Sequence, residues 1–422
     1  MKKKSFFALA FTLLFALSVL LMTACSAGEP GEPEPEPEPE PITNPLTGET
    51  AEAGFDEDAI NRRVVAFVVE NTPDARPQWG MDDEQYSPDI ILEGEVEGGI
   101  TRTLWMYADY NKLPEQIGPM RSARPPYIRF SELFDAIFIH WGQSTTENGY
   151  IGANTVFKED GVDHINQMSF ADECGMYDRD YSRNVSSEHT GIVYGAKVPD
   201  AIAEKDFRTT PEEYTLLQFN KTAEPMSEVR ADEVYLDYST RTDWETTVWT
   251  YNEEDQKYHT DNFYNNLTRD NLLILFDQTE YIEKTNYHGT GSSCIYCDYK
   301  LAGGTGKLIS QGTVKDIEWK VEGGKLILID VAATKAAQEE AAAAEEEEET
   351  ANAKKNDKKS DEAEGEEAEE AEPILIEAKL NPGKTWIGWA SANNGGHVDI
   401  VAYEVEEEEA SEGEETEAAD AE

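Results

Sequence analysis

The sequence predicts an α+β protein, in which an α+β N-terminal domain is followed by a mostly antiparallel β C-terminal domain. Two observations support this prediction. Over residues 44–225, short buried-strand patterns alternate with modest helices but lack the strict strand–helix–strand rhythm of an α/β sheet. Over residues 226–403, short strand candidates rich in Tyr, Trp, Thr and Val recur at regular spacing, which is typical of a β domain.

The N-terminus has the pattern of an export signal. Lysines at positions 2–4 are followed by an uncharged apolar run over residues 6–22, and small residues precede Cys25. We interpret residues 1–25 as a secretory signal peptide. Cys25 after Leu21-Met22-Thr23-Ala24 resembles the lipobox of bacterial lipoproteins, in which this cysteine is lipidated. An uncleaved anchor helix is the alternative, although the apolar run is short for one. Either way, the rest of the chain is expected outside the cytoplasmic membrane, held to it through Cys25.

Three segments are too polar to form a core. Residues 26–43 are a Glu-Pro repeat, predicted to be an extended stalk. Residues 333–373 contain Ala, Glu and Lys without an aromatic residue and are predicted to be a disordered acidic insert, although this composition allows transient helix. Residues 404–422 are predicted to be a disordered acidic tail. With a net charge of −52, the chain is a poor partner for nucleic acid, which requires a positive field.

The elements of the N-terminal domain are predicted from hydrophobic runs and from the turn-forming residues that end them. Residues 63–69 are apolar, β-branched and too few for a helix, so they predict a buried strand. Strands joined at Gly98-Gly99 come next, then a short helix and a second buried strand that ends at Gly142. A helical start is expected after it, capped by Ser144 or Thr145. The ranges predicted after the first strand are 90–99, 101–108, 126–133 (helix), 136–141 and 143–154 (helical at its start).

The C-terminal domain is read as a series of short strands. Its aromatic residues form either the core of the sheet or, as the alternative, a platform on which sugars stack. The predicted strands are 232–238, 246–252, 257–261, 271–276, 307–309, 314–320, 325–331, 374–380 and 385–389. The aromatic residues are Tyr235, Trp244, Trp249, Tyr251, Trp319, Trp386 and Trp389.

Three cysteines remain after removal of the signal peptide and lipidation of Cys25. Cys294 and Cys297 form a Cys-x-x-Cys pair, and Cys174 stands alone. A local disulfide or idle thiols, a disulfide that includes Cys174, and a functional pair all stay open. A zinc site needs a second ligand pair that the sequence does not offer, so neither metal nor cofactor is predicted.

Several motifs together resemble the YerB-like family of bacterial lipoproteins, which pairs two domains of unknown function. The resemblance implies an extracytoplasmic, membrane-anchored protein and does not supply a reaction. The family's Pro-His-Asn element appears here as Glu188-His189-Thr190, which keeps only the histidine. The motifs of the first domain are Asn44-Pro45-Leu46-Thr47-Gly48, Ala75-Arg76-Pro77-Gln78, Val96-Glu97-Gly98-Gly99-Ile100-Thr101-Arg102, Ile117-Gly118-Pro119-Met120-Arg121-Ser122-Ala123-Arg124-Pro125 and Asp135-Ala136-Ile137-Phe138-Ile139-His140. Those of the second are Trp249-Thr250-Tyr251, Ile317-Glu318-Trp319-Lys320 and Pro382-Gly383-Lys384-Thr385-Trp386-Ile387.

The segment 118–124 contains the strongest candidate site. If residues 122–124 open a helix, Arg121 and Arg124 share one face, and a helix N-terminus with guanidinium groups binds carboxylates or phosphates. The alternative is that both arginines tie down a loop through salt bridges to Glu93, Glu95 or Glu97. The candidate ligand-binding residues are Arg102, Arg121, Ser122, Arg124, Glu97, His140 and His189.

Catalysis is less well supported. The candidates are His140, Glu93 and Asp163, but a lone histidine at the end of a strand is more often a hydrogen-bonded core residue. Glu93 and Glu97 lie too far apart on an extended strand for a glycosidase pair. The chain has neither a Gly-x-Ser-x-Gly elbow nor a His-Glu-x-x-His zinc helix.

We therefore expect a binding or regulatory lipoprotein that acts on a cell-envelope component or on an envelope-synthesis partner. One alternative is an envelope-polymer hydrolase or transferase with an arginine-lined site for an anionic substrate. The other is a solute-binding receptor.

Overall fold

The strands of the N-terminal half follow the predicted hydrophobic runs. The computed structural model describes residues 41–403 except 82–84, 148, 243–245, 261–266, 286–289 and 357–372. The signal peptide with Cys25, the stalk up to residue 40 and the tail 404–422 lie outside the described residues. The elements of this half are β1 Val65–Glu70, β2 Ile90–Glu95, β3 Thr101–Tyr107, β4 Gln116–Ile117, α1 Pro125–Glu132, β5 Ile137–His140, α2 Ala153–Asp160, β6 His164–Asn166, β7 Tyr177–Arg179, β8 Gly191–Tyr194, α3 Val198–Glu204 and β9 Gln218–Phe219.

The C-terminal half is mostly antiparallel β, as predicted, with one long helix. Its elements are β10 Glu233–Asp237, β11 Thr247–Asn252, β12 Lys257–Thr260, β13 Leu267–Arg269, β14 Asn271–Asp277, β15 Thr279–Lys284, β16 Cys294–Tyr299, β17 Gly304–Ser310, β18 Thr313–Glu322, β19 Lys325–Asp330, α4 Val331–Asn356, β20 Lys379–Leu380, β21 Thr385–Ser391 and β22 His397–Val401.

A ten-stranded mixed sheet runs through both halves in the order β19-β18-β17-β14-β21-β2-β3-β1-β5-β6. Strand β21, near the end of the chain, pairs in parallel with β2 on one side and with β14 on the other. The expected boundary between residues 225 and 226 therefore does not divide this sheet, and the chain from residue 42 onward clusters as one unit. The α+β fold class is confirmed.

Both faces of this sheet are covered, which explains the continuous apolar runs. In β1, Ala66 and Val68 belong to one core, whereas Phe67 and Val69 belong to the other. Residues of α1 and α2 cover the first face. Residues of α3 and of a second sheet, in the order β13-β12-β11-β10-β22, cover the other face. A strand buried on both faces needs apolar residues at every position rather than at alternate ones.

The tryptophans of the C-terminal half belong to the core rather than to a sugar platform. Trp249, Trp319, Trp386 and Trp389 are buried, whereas Tyr235 and Tyr251 are half-buried. Trp244 lies outside the described residues. Burial of such large rings supplies much of the apolar area that stabilises two facing sheets.

The three cysteines of the described part of the chain are free thiols. Cys294 and Cys297 both lie in β16, three positions apart. Because successive side chains of a strand point to opposite faces, an odd separation places these two thiols on different sides of the hairpin β15–β16. A local disulfide would therefore require β16 to be distorted.

Two predicted elements differ from the structure. Residues 143–147 do not begin a helix; Gln143 instead forms a parallel bridge with Ala123, and α2 starts only at Ala153. The hydroxyl of Ser144 does accept a hydrogen bond from the Ala153 amide (3.0 Å), but across a loop. Gly152 allows this close approach, because a Cβ there would lie 2.3 Å from the backbone of Thr145.

The insert predicted as disordered over residues 333–373 begins instead as helix α4. Its high Ala and Glu content favours helix, and the carboxylate of Asp330 accepts a hydrogen bond from the Ala333 amide at its start (2.9 Å). Residues 357–372 lie outside the described part of the chain. None of the helices in the described residues is both long enough and apolar enough to span a membrane.

Candidate functional site

A cleft of about 610 Å³ opens where three parallel strands end. Strands β1, β5 and β6 are parallel neighbours, and their last residues are Glu70, His140 and Asn166. Crevices at the carboxyl ends of parallel strands are common ligand sites, because the chain leaves the sheet there in loops that carry polar groups. The cleft is lined by Met120, Arg121, Ser122, Trp141, Gly142, Gln143, Asn166, Met168, Ser169, Arg179, Glu188 and Gly191.

Arg121 enters this cleft from a segment held between two strand ends. Its amide donates to the carbonyl of Val68 (2.9 Å), and its carbonyl accepts from the amide of Trp141 (3.0 Å). The guanidinium donates from Nη2 to Oε1 of Glu70, and Nη1 lies 3.9 Å from a carboxylate oxygen of Glu188. The backbone thus aims this arginine along the crevice that the sheet creates.

Glu70 and His189 are buried next to the cleft, where both contact Arg121. Glu70, whose side chain is only 4% exposed, accepts a hydrogen bond from Thr72 Oγ1 (3.0 Å) and contacts His189 Nδ1 at 2.7 Å. Because Glu70 accepts there, the network assigns the proton to Nδ1. The other ring nitrogen, Nε2, lies 3.6 Å from a carboxylate oxygen of Glu188. Sequence reasoning identified His189 but missed Glu70. The signal was present, since a carboxylate ends a strand that is otherwise apolar.

A second arginine lies over an aromatic ring of the cleft. The Arg179 guanidinium carbon is 4.5 Å from the centre of the Trp141 ring, and Nη1 donates to Thr190 Oγ1 (3.2 Å). Gly191 permits this packing, since a Cβ there would come within 2.8 Å of the indole. Stacking on the indole holds the Arg179 charge at the cleft without a carboxylate partner at that contact.

His140 supports the floor of the cleft and does not face it. It is fully buried, and its Nδ1 lies 2.6 Å from the carbonyl of Gly142, while its Nε2 lies 2.9 Å from Nδ1 of His164. Burial lowers the pKa of His140 to about 3 and that of His164 to about 4. Gly142 has a positive φ of 83°, and a Cβ there would lie 2.7 Å from Ser122 Oγ. His140 is therefore placed to position a tight turn.

Arg124, Arg102 and Glu97 form a separate buried cluster behind the cleft. Arg124 donates to both carboxylate oxygens of Glu97, and Arg102 Nη2 lies 3.5 Å from one of them. Both arginines also donate to the carbonyl of Ser122, at 2.9 Å from Arg102 and 3.4 Å from Arg124. These residues therefore hold the backbone of a cleft residue in place.

The expected shared face of Arg121 and Arg124 is wrong, because α1 begins only at Pro125. Prolines fill its first two positions, and proline has no N–H group to offer an anion. The alternative expectation of salt bridges is correct for Arg124, which pairs with Glu97. Arg121 pairs with Glu70, a partner that was not foreseen.

The other two catalytic candidates are engaged elsewhere. Glu93 is buried between the sheets, where it accepts hydrogen bonds from Asn71 (2.7 Å), Thr101 (3.0 Å) and Trp386 (3.1 Å). Burial raises the pKa of Glu93. Asp163, which directly precedes β6, forms an ion pair with Arg63, which precedes β1. This pair lies outside the cleft, toward the amino ends of these strands.

The chemistry of the cleft suits a polar, negatively charged ligand. Two guanidinium groups reach it, and the side-chain oxygen of Gln143 is buried without a hydrogen-bond partner among the described residues. Such an oxygen can accept a hydrogen bond from an N–H group of a ligand. Across the described ranges, no group of three or more His, Cys, Asp and Glu side chains is arranged to hold a metal ion.

Comparison with known proteins confirms the family resemblance. Residues 46–208 match the family described as "Protein of unknown function (DUF3048) N-terminal domain". The chain is 29% identical over 284 residues to the "Putative lipoprotein YerB" of Bacillus subtilis (strain 168), covering 67% of this chain and 79% of that protein. It also superposes on the crystal structure of YerB from Bacillus subtilis with a TM-score of 0.58 and 22% identity, over 85% of this chain and 99% of the other.

Proposed function

From its similarity to the putative lipoprotein YerB of Bacillus subtilis, we propose that this chain is a membrane-anchored, extracytoplasmic binding or regulatory protein. Its cleft would hold an anionic group of a cell-envelope component or of an envelope-synthesis partner. The lipobox-like cysteine Cys25 supports the anchor. The description of its Bacillus relative as a lipoprotein points the same way.

One observation carries the proposal: Arg121 and Arg179 reach a cleft of about 610 Å³ in a chain whose net charge is −52. Positive groups in a strongly acidic protein attract an anion locally, whereas the remaining surface repels it. A ligand that is acidic only at one group can therefore bind at this cleft and at few other places.

Binding is favoured over catalysis by the positions of the catalytic candidates. His140 and Glu93 are buried in scaffolding contacts, and Asp163 is paired with Arg63 away from the cleft. A general acid or base must come within hydrogen-bonding distance of the group that it serves. The hydrolase or transferase alternative consequently loses the residues on which it depended.

A solute receptor is the second candidate, favoured by the size of the cleft. Pockets for small molecules commonly measure about 300–1,000 Å³, a range that includes this one. Native mass spectrometry of the purified protein distinguishes the two functions. For a solute receptor, the measured mass would be that of the chain plus a bound small molecule. For an envelope-binding protein, it would be that of the chain alone.

The proposal is tested by retention of the purified full-length chain on isolated wall polymer, together with crosslinking to membrane proteins in cells. Substitution Arg179→Gln is expected to weaken retention several-fold at low salt, because it removes one of two cleft charges. Arg230→Gln is the matched control. Arg230 is half-exposed like Arg179, but it pairs with Asp232 and does not line the cleft. If wild-type protein captures neither wall polymer nor any membrane protein, the proposal is abandoned.

A further inference from the structure

Glu188 stands at the position that an anionic ligand would take. One oxygen of its carboxylate lies 3.9 Å from Arg121 Nη1, and the other lies 3.6 Å from His189 Nε2. The second oxygen also accepts a hydrogen bond from Ser186 Oγ (3.2 Å). This carboxylate therefore lies at the mouth of the cleft, close to Nη1 of Arg121.

Glu188 is held far more loosely than Glu70, the other carboxylate at this arginine. Glu70 is 4% exposed and binds Nη2 of Arg121 directly, whereas Glu188 is 64% exposed and only approaches Nη1. Exposed ion pairs contribute little stability, because water solvates both charges and the side chains lose freedom when they pair. Glu188 can thus leave its position at small cost, while Glu70 stays as part of the site.

We infer that Glu188 is an internal substitute for the ligand, and that the ligand presents a carboxylate which displaces it from Arg121. This inference rests on the proposed binding function and specifies the ligand of the same cleft. A carboxylate is the group that already lies near Nη1 of Arg121, and an N–H donor of a guanidinium group forms a strong, charge-assisted hydrogen bond with a carboxylate.

The neutral lining narrows the ligand further. The buried, unpartnered oxygen of Gln143 accepts from an N–H group, and the side chains of Ser122 and Ser169 add hydroxyls. A carboxylate accompanied by amide N–H groups is the chemistry of an acidic peptide. We therefore assign the cleft to a short peptide segment with a free carboxylate.

An internal competitor lowers the apparent affinity by the fraction of molecules in which it occupies the site. Since an exposed ion pair is weak, removal of Glu188 should strengthen binding by only about two- to fivefold. The matched control is Glu212, which is 73% exposed and lies 3.5 Å from Arg208 in a similar surface pair.

The test uses the purified full-length protein and N-acetyl-glutamate amide as the probe, with N-acetyl-glutamine amide as its neutral counterpart. Affinities are measured by titration with NMR detection. Glu188→Gln should bind the acidic probe about two- to fivefold more tightly than wild type, and Glu212→Gln should match wild type. Arg121→Lys, which keeps the charge but cannot contact Glu70 and the ligand from two separate nitrogens, should bind it more weakly. Thermal unfolding of each variant verifies that it is folded.

The outcomes separate the two proposals. If wild type binds the acidic probe and Glu188→Gln shows no gain, the internal substitute is refuted and the binding function stands. Equal affinity for the acidic and neutral probes refutes the carboxylate assignment. If the wild-type chain and the Glu188→Gln variant bind neither probe and the chain is not retained on wall polymer, both proposals fail.

Discussion

Glu97 accepts hydrogen bonds from Arg124 at both carboxylate oxygens, with Nε at 2.7 Å from Oε2. Burial opposes its ionisation, but the charges of Arg124 and Arg102 outweigh that cost and hold the pKa of Glu97 well below its usual range. Two buried guanidinium charges therefore depend on one carboxylate. The cluster keeps Ser122 in place, and with it one wall of the cleft.

Substitution Glu97→Gln should lower the free energy of unfolding by about 3–5 kcal/mol, because it leaves two buried guanidinium groups without their counter-charge. Chemical denaturation measures this loss. Glu253→Gln, at an exposed partner of Arg230, serves as the control and should change stability by less than about 0.5 kcal/mol. A loss below about 1 kcal/mol for Glu97→Gln would show that water reaches the cluster.

The pair formed by buried His140 and half-buried His164 makes stability depend on pH. Burial lowers both pKa values, to about 3 and about 4, whereas the unfolded chain binds protons at ordinary histidine pKa values near 6.5. The contribution of the pair is therefore complete above about pH 6.5. It is lost as pH falls toward 4, because protons then favour the unfolded chain.

Each histidine should contribute a slope of at most about 1.4 kcal/mol per pH unit between pH 6.5 and 4. In His164→Gln, one of the two contributions disappears, so the unfolding free energy should fall less steeply over this range. Identical slopes in wild type and His164→Gln would contradict the assignment of neutral imidazoles.

Helix α4 illustrates how an element can be formed without contributing a face to the core. Residues 341–347 of this helix are almost entirely exposed, and the contacts of the helix with the sheet lie near its start. There, Thr334 Oγ1 accepts from the Ile376 amide (2.9 Å) and Gln338 donates to the carbonyl of Ile374 (2.9 Å). The two ends of the inserted segment are therefore close together.

Replacing residues 341–372 by a short Gly-Ser linker should leave the thermal midpoint within a few degrees of the wild-type value. Helical residues 341–347 are almost entirely exposed, and loop closure depends only weakly on loop length. Differential scanning calorimetry measures the midpoint. A large decrease would mean that the distal part of the segment stabilises the fold. A second deletion that also removes Thr334 and Gln338 is expected to be destabilising.

Strand β21 joins the two halves of the chain. Trp389 in this strand packs against Phe130 of α1, with ring centroids 5.4 Å apart, and stacks on Tyr299 of β16 at 4.2 Å. The strand itself lies between β2 and β14. Separating the halves would expose the edge of β2 and this cluster of aromatic rings to water.

The described unit from residue 42 onward should consequently unfold in one cooperative transition. This holds although the change in residue composition and strand spacing along the sequence predicts two domains. Trp389→Ala should destabilise it by about 3–5 kcal/mol. Hydrogen exchange should then rise at amides of both β1 and β14, which lie in different halves. Two separate calorimetric transitions, or faster exchange confined to β14, would contradict a shared core.

The local hydrophobic pattern of the sequence was sufficient to predict many of the strands. The apolar runs at residues 63–69 and 136–141 became β1 and β5 because a strand buried on both faces needs apolar side chains throughout. The regular aromatic strands of the second half were likewise readable along the chain. The helical character of α4 is also indicated by its high Ala and Glu content.

The partners of individual charges could not be read in this way. Arg121 and Arg124 are three residues apart, yet the first pairs with Glu70 and reaches the cleft, while the second pairs with Glu97 in the interior. Sheet order decides this difference, because it places β1 beside β5 and carries β21 next to β2 across the chain. Local sequence sets the periodicity of each element, whereas contacts between distant residues depend on how all elements pack at once.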